Sequence, residues 1–178
     1  EYSSLSTKEI VETDVDPNEV LKNVIQDSGQ LIRNNNVRIN VAENLPSVRG
    51  ENVRLYQVFS NLLTNAIKYR AKDRALEIDV RVGQQNEHLV SIDVSDNGSG
   101  IPVSKLDDIF RPYHRAHGKD IEGSGIGLAC VRKIMDHIGG EVTVRSQEGQ
   151  GSVFTVTFRT QHPAPRAVPS DLTRLFSS

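Results

Sequence analysis

Across residues 51–94 the apolar residues switch from a helical to a strand period, and that switch restricts the fold more than any other feature. Leu55, Phe59, Leu62, Leu63 and Ala66 recur once per helical turn, the core stripe of a long helix from about Glu51 to Arg70. Directly after it, Leu76, Ile78, Val80 and Val82 alternate with polar residues, as do Val90, Ile92 and Val94, with Gln84 to Glu87 as the turn between them. The helix must bury one stripe and the hairpin one face, so each supplies the surface that the other lacks. The combination predicts a sheet with helices on one face.

The flanking sequence extends this scheme. Ile10, Val11 and Val15 suggest a short first strand. Asp16 and Pro17 suit a helix cap and first position, and Glu19 completes a box-like pattern, ahead of Val20, Leu21, Val24, Ile25, Leu31 and Ile32 at helical spacing. That helix should stop near Asn34-Asn35-Asn36. Val37, Ile39 and Val41 then alternate as a strand, which Asn44-Leu45-Pro46 breaks. A third helix carries Val131, Ile134, Met135 and Ile138 and ends at Gly139-Gly140. Val142/Val144 and Phe154/Val156/Phe158 are two last strands joined across Glu148-Gly149-Gln150-Gly151. The expected class is α/β: a two-layer sandwich with a mixed, largely antiparallel sheet covered on one face by about three helices. The expected domain spans 14–160. Residues 1–13 read as the end of a preceding helix or linker plus the first strand, and 161–178, with Pro163, Pro165 and Pro169, as a tail or linker. A start at Glu1 rather than Met fits a piece of a longer chain.

Composition narrows the function classes. Hydrophobic residues at 37% and charged residues at 25% suffice for one core and exclude a wholly disordered chain. A formal charge of -2 argues against tracking nucleic acid. One cysteine, Cys130, permits no internal disulfide and no thiolate cluster for zinc, and no apolar run approaches the ~18 residues that cross a bilayer. Together these predict a cytoplasmic domain without direct membrane contact. Cys130 lies among apolar neighbours in the third helix and reads as packed rather than redox-active.

Four segments look chemical. Asn61, Asn65 and Lys68 share one face of the second helix, where carboxamide oxygens can ligate Mg²⁺ and an ammonium can meet phosphate; a solvated polar face would look the same. Asp96-Asn97-Gly98-Ser99-Gly100 follows a strand, so its carboxylate can accept from an exocyclic amine, although the same run is a strong turn signal. Gly123-Ser124-Gly125-Ile126-Gly127 opens the third helix and offers N–H groups to an anion; it has neither the Rossmann spacing nor the Lys-Ser/Thr of a P-loop. Gly149-Gln150-Gly151-Ser152 is explained by hairpin geometry alone. Phe110-Arg111-Pro112-Tyr113-His114-Arg115 and Lys119, between the second and third segments, have the composition of a lid that reaches phosphates.

In this order the segments resemble the catalytic ATP-binding domain of sensor histidine kinases, in the GHKL superfamily with its Bergerat fold. Gln57 to Tyr69 resembles the N box, Asp96 to Gly100 the first glycine box, Phe110 to Arg115 the F box, and Gly123 to Leu128 the second glycine box. Gly149 to Ser152 is similar to the final glycine turn, and the likeness runs from about Asp14 to Thr160. The resemblance implies ATP and Mg²⁺ as cofactors. It implies that Asp96 holds the adenine amino group, that Asn65 ligates Mg²⁺, and that Asn61, Lys68 and Tyr69 line the phosphate and sugar side. Gly98, Gly100 and Ile101 would shape the adenine pocket, with Ser152 nearby. Gly123, Ser124, Gly125, Ile126, Gly127 and Leu128 would cradle phosphates beside a lid bearing Tyr113 and Arg115. Arg70 stands where the family usually has a small hydroxyl residue.

The acceptor of such a kinase is a histidine followed by an acid on a helical hairpin. His88, His114, His117, His137 and His162 have no acid directly after them. The expected partners are therefore ATP, a dimerisation domain bearing the histidine, and a response regulator receiver domain. Two other readings stand beside the kinase domain: a GHKL ATPase driving a conformational cycle, and a nucleotide-binding scaffold. The first needs a Glu four residues before Asn65, where this chain has Asn61.

Overall fold

A computed structural model describes residues 13–113 and 125–159. In chain order it contains β1 (Thr13–Val15), α1 (Pro17–Asp27), α2 (Gly29–Asn34), β2 (Arg38–Val41), β3 (Val48–Gly50) and α3 (Asn52–Lys68). These are followed by β4 (Glu77–Gln85), β5 (Leu89–Asp96), a 3-10 turn (Val103–Lys105), α4 (Gly127–His137), β6 (Glu141–Gln147) and β7 (Gly151–Arg159).

The main sheet has five strands in the order β2-β4-β5-β7-β6; β2 pairs with β4 in parallel and the other pairs are antiparallel. Strand alternation decides which face is buried. Ile78 and Val80 of β4, Val90, Ile92 and Val94 of β5, and Phe154, Val156 and Phe158 of β7 are all buried. They form one core with Val20, Leu21 and Val24 of α1, the α3 stripe, and Val131, Ile134 and Met135 of α4. The opposite face is polar: Thr155 donates to Asp93 at 2.6 Å, and Arg81 pairs with Asp79 at 3.1 Å. This is the expected two-layer α/β sandwich.

Helix ends follow local chemistry. The Asp16 carboxylate accepts the Asn18 N–H at 2.8 Å and Pro17 takes the first helical position. Gly139 at φ 67 ends α4, where the Gly140 N–H returns to the Met135 carbonyl at 2.8 Å. Arg70 caps the end of α3 by donating to the Ile67 carbonyl at 3.1 Å.

Three expectations are corrected. The first helix does not run unbroken to Asn34: it divides at Ser28-Gly29, and Leu31 on α2 is exposed. Glycine costs about 1 kcal/mol against alanine inside a helix, and Leu31 buries too little to offset it. The chain between Leu45 and Glu51 forms β3, which pairs with β1 in antiparallel register, Val15 opposite Val48. Finally, β4 continues to Gln85 through an irregularity between Val82 and Gln85, so the turn is shorter than expected. Ile10 and Val11, and the tail 161–178, lie outside the described residues. No helix among the described residues is long and apolar enough to cross a membrane.

Candidate functional site

At one end of the sheet the buried face changes character within a single residue pair. Val94, Phe154 and Val144 stand in one register row across β5, β7 and β6. The next row on that face is Asp96, Ser152 and Ser146. An apolar floor thus ends in a polar lip.

Asp96 occupies the lip half-buried. Burial pushes its carboxyl up from 3.8 to about 6, while backbone N–H bonds from Gly98 and Ser152 pull the other way. The turn after it is tied down on every side. Gly98 N donates to Asp96 Oδ1 at 2.8 Å, and both the N–H and the hydroxyl of Ser99 donate to the Tyr69 carbonyl, at 2.9 and 2.8 Å. Asn97 accepts from the Glu77 N–H at 2.9 Å and donates to the Ala75 carbonyl at 3.1 Å. A Cβ on Gly98 would lie 2.8 Å from the Tyr69 carbonyl, so this position excludes side chains. Gly100 adopts φ 67 against the backbone of Gln147 and Glu148, and Gly151 adopts φ 118 against the backbone of Asp96 and Asn97. The Gly149 N–H reaches the Ser99 carbonyl at 2.7 Å, and Arg74 donates to the Gly149 carbonyl. Ile101, buried, gives its N–H to Ser146 Oγ at 2.8 Å.

The second side of the site is α3. Asn61, Asn65 and Lys68 are half-buried and share the face beside the core stripe. Asn61 Nδ2 donates to the Gln57 carbonyl at 2.8 Å, and its Oδ1 would lie 2.9 Å from a Cβ on Gly127, so this contact seats α4 against α3. Tyr69 ends α3, with the Lys68 ammonium 4.9 Å from its ring centroid. At the start of α4 the N-cap residue Ile126 offers no side-chain acceptor, and no described side chain caps the helix. Gly125 at φ 69 accepts the Tyr113 N–H at 3.0 Å; Tyr113 itself has φ 63 and is 77% exposed.

The sequence-predicted residues therefore fall into groups. Tyr69, Asp96, Gly98, Ile101 and Ser152 belong to one hydrogen-bonded assembly, against which Gly100 packs, while Asn61 and Gly127 meet at a second contact. Leu128 packs half-buried against the core, and Tyr113 and Ile126 face solvent. Arg115, Gly123 and Ser124 lie outside the described residues, as do His114, His117, Lys119 and His162. His88 and His137 are exposed, and Cys130 is half-buried against the core. Phe110 is buried edge-on to Phe154, with centroids 6.4 Å apart. Ser146 and Arg74 escaped sequence reading. Ser146 had a signal: it shares the inward parity of Val142 and Val144, where a serine needs a reason. Among the described residues no cluster of three or more His, Cys, Asp or Glu can hold a metal.

Helices on one face of a mixed sheet, with the glycine turns gathered at one end, make this domain a Bergerat-type α/β sandwich. Residues 50–162 match the family model "Histidine kinase-, DNA gyrase B-, and HSP90-like ATPase", and the chain belongs to that family. Its relatives are sensor histidine kinases, and it is a catalytic domain of that kind. The aerobic respiration control sensor protein ArcB of Escherichia coli (strain K12) is 37% identical over 128 residues, 68% of this chain and 16% of ArcB. The catalytic domain of histidine kinase ThkA superposes with TM-score 0.69 at 27% identity, covering 83% of this chain and 97% of that one. Full-length ShkA, solved in complex with AMPPNP, shares the fold with TM-score 0.73 at 24% identity, over 88% of this chain and 33% of ShkA. The chain thus spans about a sixth of the length of curated relatives such as ArcB.

Proposed function

We propose that this domain binds Mg-ATP and donates the γ-phosphate to a histidine on a dimerisation domain outside this chain, from which a receiver domain takes it. The observation that carries the reading is Asp96: a half-buried carboxylate, tied to two backbone N–H groups, at the polar lip of an apolar floor. That is an acceptor for the exocyclic amine of adenine, whose ring the floor and Ile101 receive. Gly98 and Gly100 allow close approach, and Ser152 stands beside the carboxylate. Asn61, Lys68 and Tyr69 face sugar and phosphates. The start of α4, with Gly123, Ser124, Gly125, Ile126, Gly127 and Leu128, receives phosphate oxygens, to which Tyr113 and Arg115 add a hydroxyl and a positive charge.

Asn65 supplies a carboxamide oxygen for Mg²⁺, and the donor set fits a hard cation that takes its other ligands from phosphates and water. When bound, the ion neutralises charge on the phosphate oxygens. This chain's own residues position the triphosphate, and catalysis rests on that orientation and on charge complementarity. The nucleophile and its proton acceptor come from elsewhere. From Asn52 to Lys68, α3 carries no acidic residue, so nothing on it activates water and hydrolysis by the domain alone is slow. That disfavours the ATPase reading. The compartment in this reading is the cytoplasm, where ATP and a receiver are at hand.

Calorimetric titration of ATP with Mg²⁺ into the wild type and Asp96→Asn tests the reading. Micromolar-range binding lost in the variant supports it; no binding to the folded wild type sinks it.

A further inference from the structure

Ser146, the third member of the polar row, has no part in the reading above, yet its hydroxyl meets three polar partners. Its Oγ lies 2.8 Å from the Ile101 N, 2.8 Å from the Gly151 carbonyl and 3.0 Å from Ser152 Oγ. A hydroxyl has one proton and two lone pairs. The Ile101 N–H can only donate and the Gly151 carbonyl can only accept. The Ser146 proton therefore goes to Gly151, and Ser152 must donate to Ser146. The Ser152 proton is thus turned along the row, away from any ligand beside Asp96, to which Ser152 presents lone pairs alone. Asp96, once ionised, is also an acceptor without a proton. Two neighbouring acceptors suit a ligand amino group and oppose a carbonyl.

We propose that Ser146 is a specificity-determining positioning residue: by accepting the Ser152 proton it fixes the Ser152 hydroxyl as an acceptor, and the site selects a 6-aminopurine over a 6-oxopurine triphosphate. The inference rests on the nucleotide reading above and goes beyond it in assigning base selection to a residue outside the first contact. Without Ser146 Oγ the Ser152 hydroxyl is free to rotate and donate to a 6-oxo group. Discrimination then falls by the worth of about one neutral hydrogen bond, roughly fivefold.

The test compares affinities for ATP and inosine triphosphate by calorimetry in the wild type, Ser146→Ala and Ser146→Thr, with thermal melts to establish folding. The expected result is an ATP preference that narrows about fivefold in Ser146→Ala and is kept in Ser146→Thr, which retains the hydroxyl. In a Ser152→Ala background, Ser146→Ala should leave the ratio unchanged. Should Ser146→Ala not fold, Ser146→Cys, which fills the space with a weak hydrogen-bonding group, takes its place. An unchanged ratio, or equal weakening of both nucleotides, overturns the proposal while leaving the nucleotide site intact. A wild type that binds neither nucleotide overturns the underlying reading as well.

Discussion

The two ends of the candidate site are built differently. At the sheet end, around Asp96, every turn is bonded to another: Gly98 to Asp96, Ser99 to Tyr69, Gly149 to Ser99, Ile101 to Ser146. At the helix end Asn61 is bonded to the Gln57 carbonyl, but its neighbours are less tied. Among the described residues the Asn65 carboxamide makes no hydrogen bond and no side chain caps α4, and Tyr113 and Ile126 are exposed. The contrast follows from what each end meets in the proposed function. A flat base needs a fixed hydrogen-bond pattern, and preorganisation avoids an ordering cost on binding. A triphosphate with its cation must be gripped, transferred and released, which favours groups that gain partners only when it arrives.

The largest expected effect would break the rigid end. Gly151→Ala places a Cβ against the Asp96 backbone at φ 118, which should cost roughly 3 kcal/mol and lower the melting temperature by roughly 6–12 °C. A melt within 2 °C of wild type, as an approximate limit, would show that this end yields after all.

Asp96→Asn comes next. It should weaken ATP binding by roughly 10- to 100-fold, the worth of a hydrogen bond to a charged group. The pH dependence has a definite sign. With the folded carboxyl raised to about 6 from 3.8, the folded state holds a proton that the unfolded state has lost. The Asp96 contribution to stability is therefore fullest below 3.8 and is lost as pH rises through about 6, whereas ATP affinity moves the other way and weakens below about 6. Both trends should flatten in Asp96→Asn, followed by melts and titrations across that range.

At the adjustable end, Asn65→Ala should lower phosphotransfer to a supplied dimerisation domain by about tenfold or more, through ~1.4 kcal/mol or more of lost charge stabilisation. Its melting temperature should hold, and its affinity for ADP in EDTA should stay within about twofold, since neither depends on the cation. An equal loss of ADP binding would erase the distinction between the ends. The smallest effect sharpens it: Tyr113→Gly relieves a left-handed backbone at an exposed site and should raise stability by about 1 kcal/mol, or ~2–4 °C in melting temperature.

The elements legible in the sequence were those whose apolar period persists. Over α3, the β4–β5 hairpin, α4 and β7, six or more residues repeat one rule, and their expected ends differ by only a few residues from those observed. β3 was hidden because three residues cannot display a period of two, and the Ser28-Gly29 break because Leu31 and Ile32 continue the helical spacing past it. In the site, Asp96, Gly98 and Asn61 stood out through residue type and neighbourhood. Arg74 did not, because its partner is a carbonyl on a distant turn, and no backbone carbonyl has a signature in sequence. Gly149 and Gly151 read as ordinary hairpin glycines, and for Gly149 open space bears that out; Gly151 instead makes room for the Asp96 strand.

The register of the central strands has a kinetic consequence. β4 with β5, and β6 with β7, are hairpins that close over short stretches, but Asp96 meets Ser152 only when the whole chain from Asn97 to Gly151 has been drawn into a loop. The entropy of closing a loop rises with its length and is spent before the contacts it enables. The polar lip is assembled at the seam where the two hairpins join, so neither hairpin alone contains it. A nucleotide that recognises the lip acts on the finished fold: added during refolding, it slows unfolding and leaves the rate of the early steps unchanged.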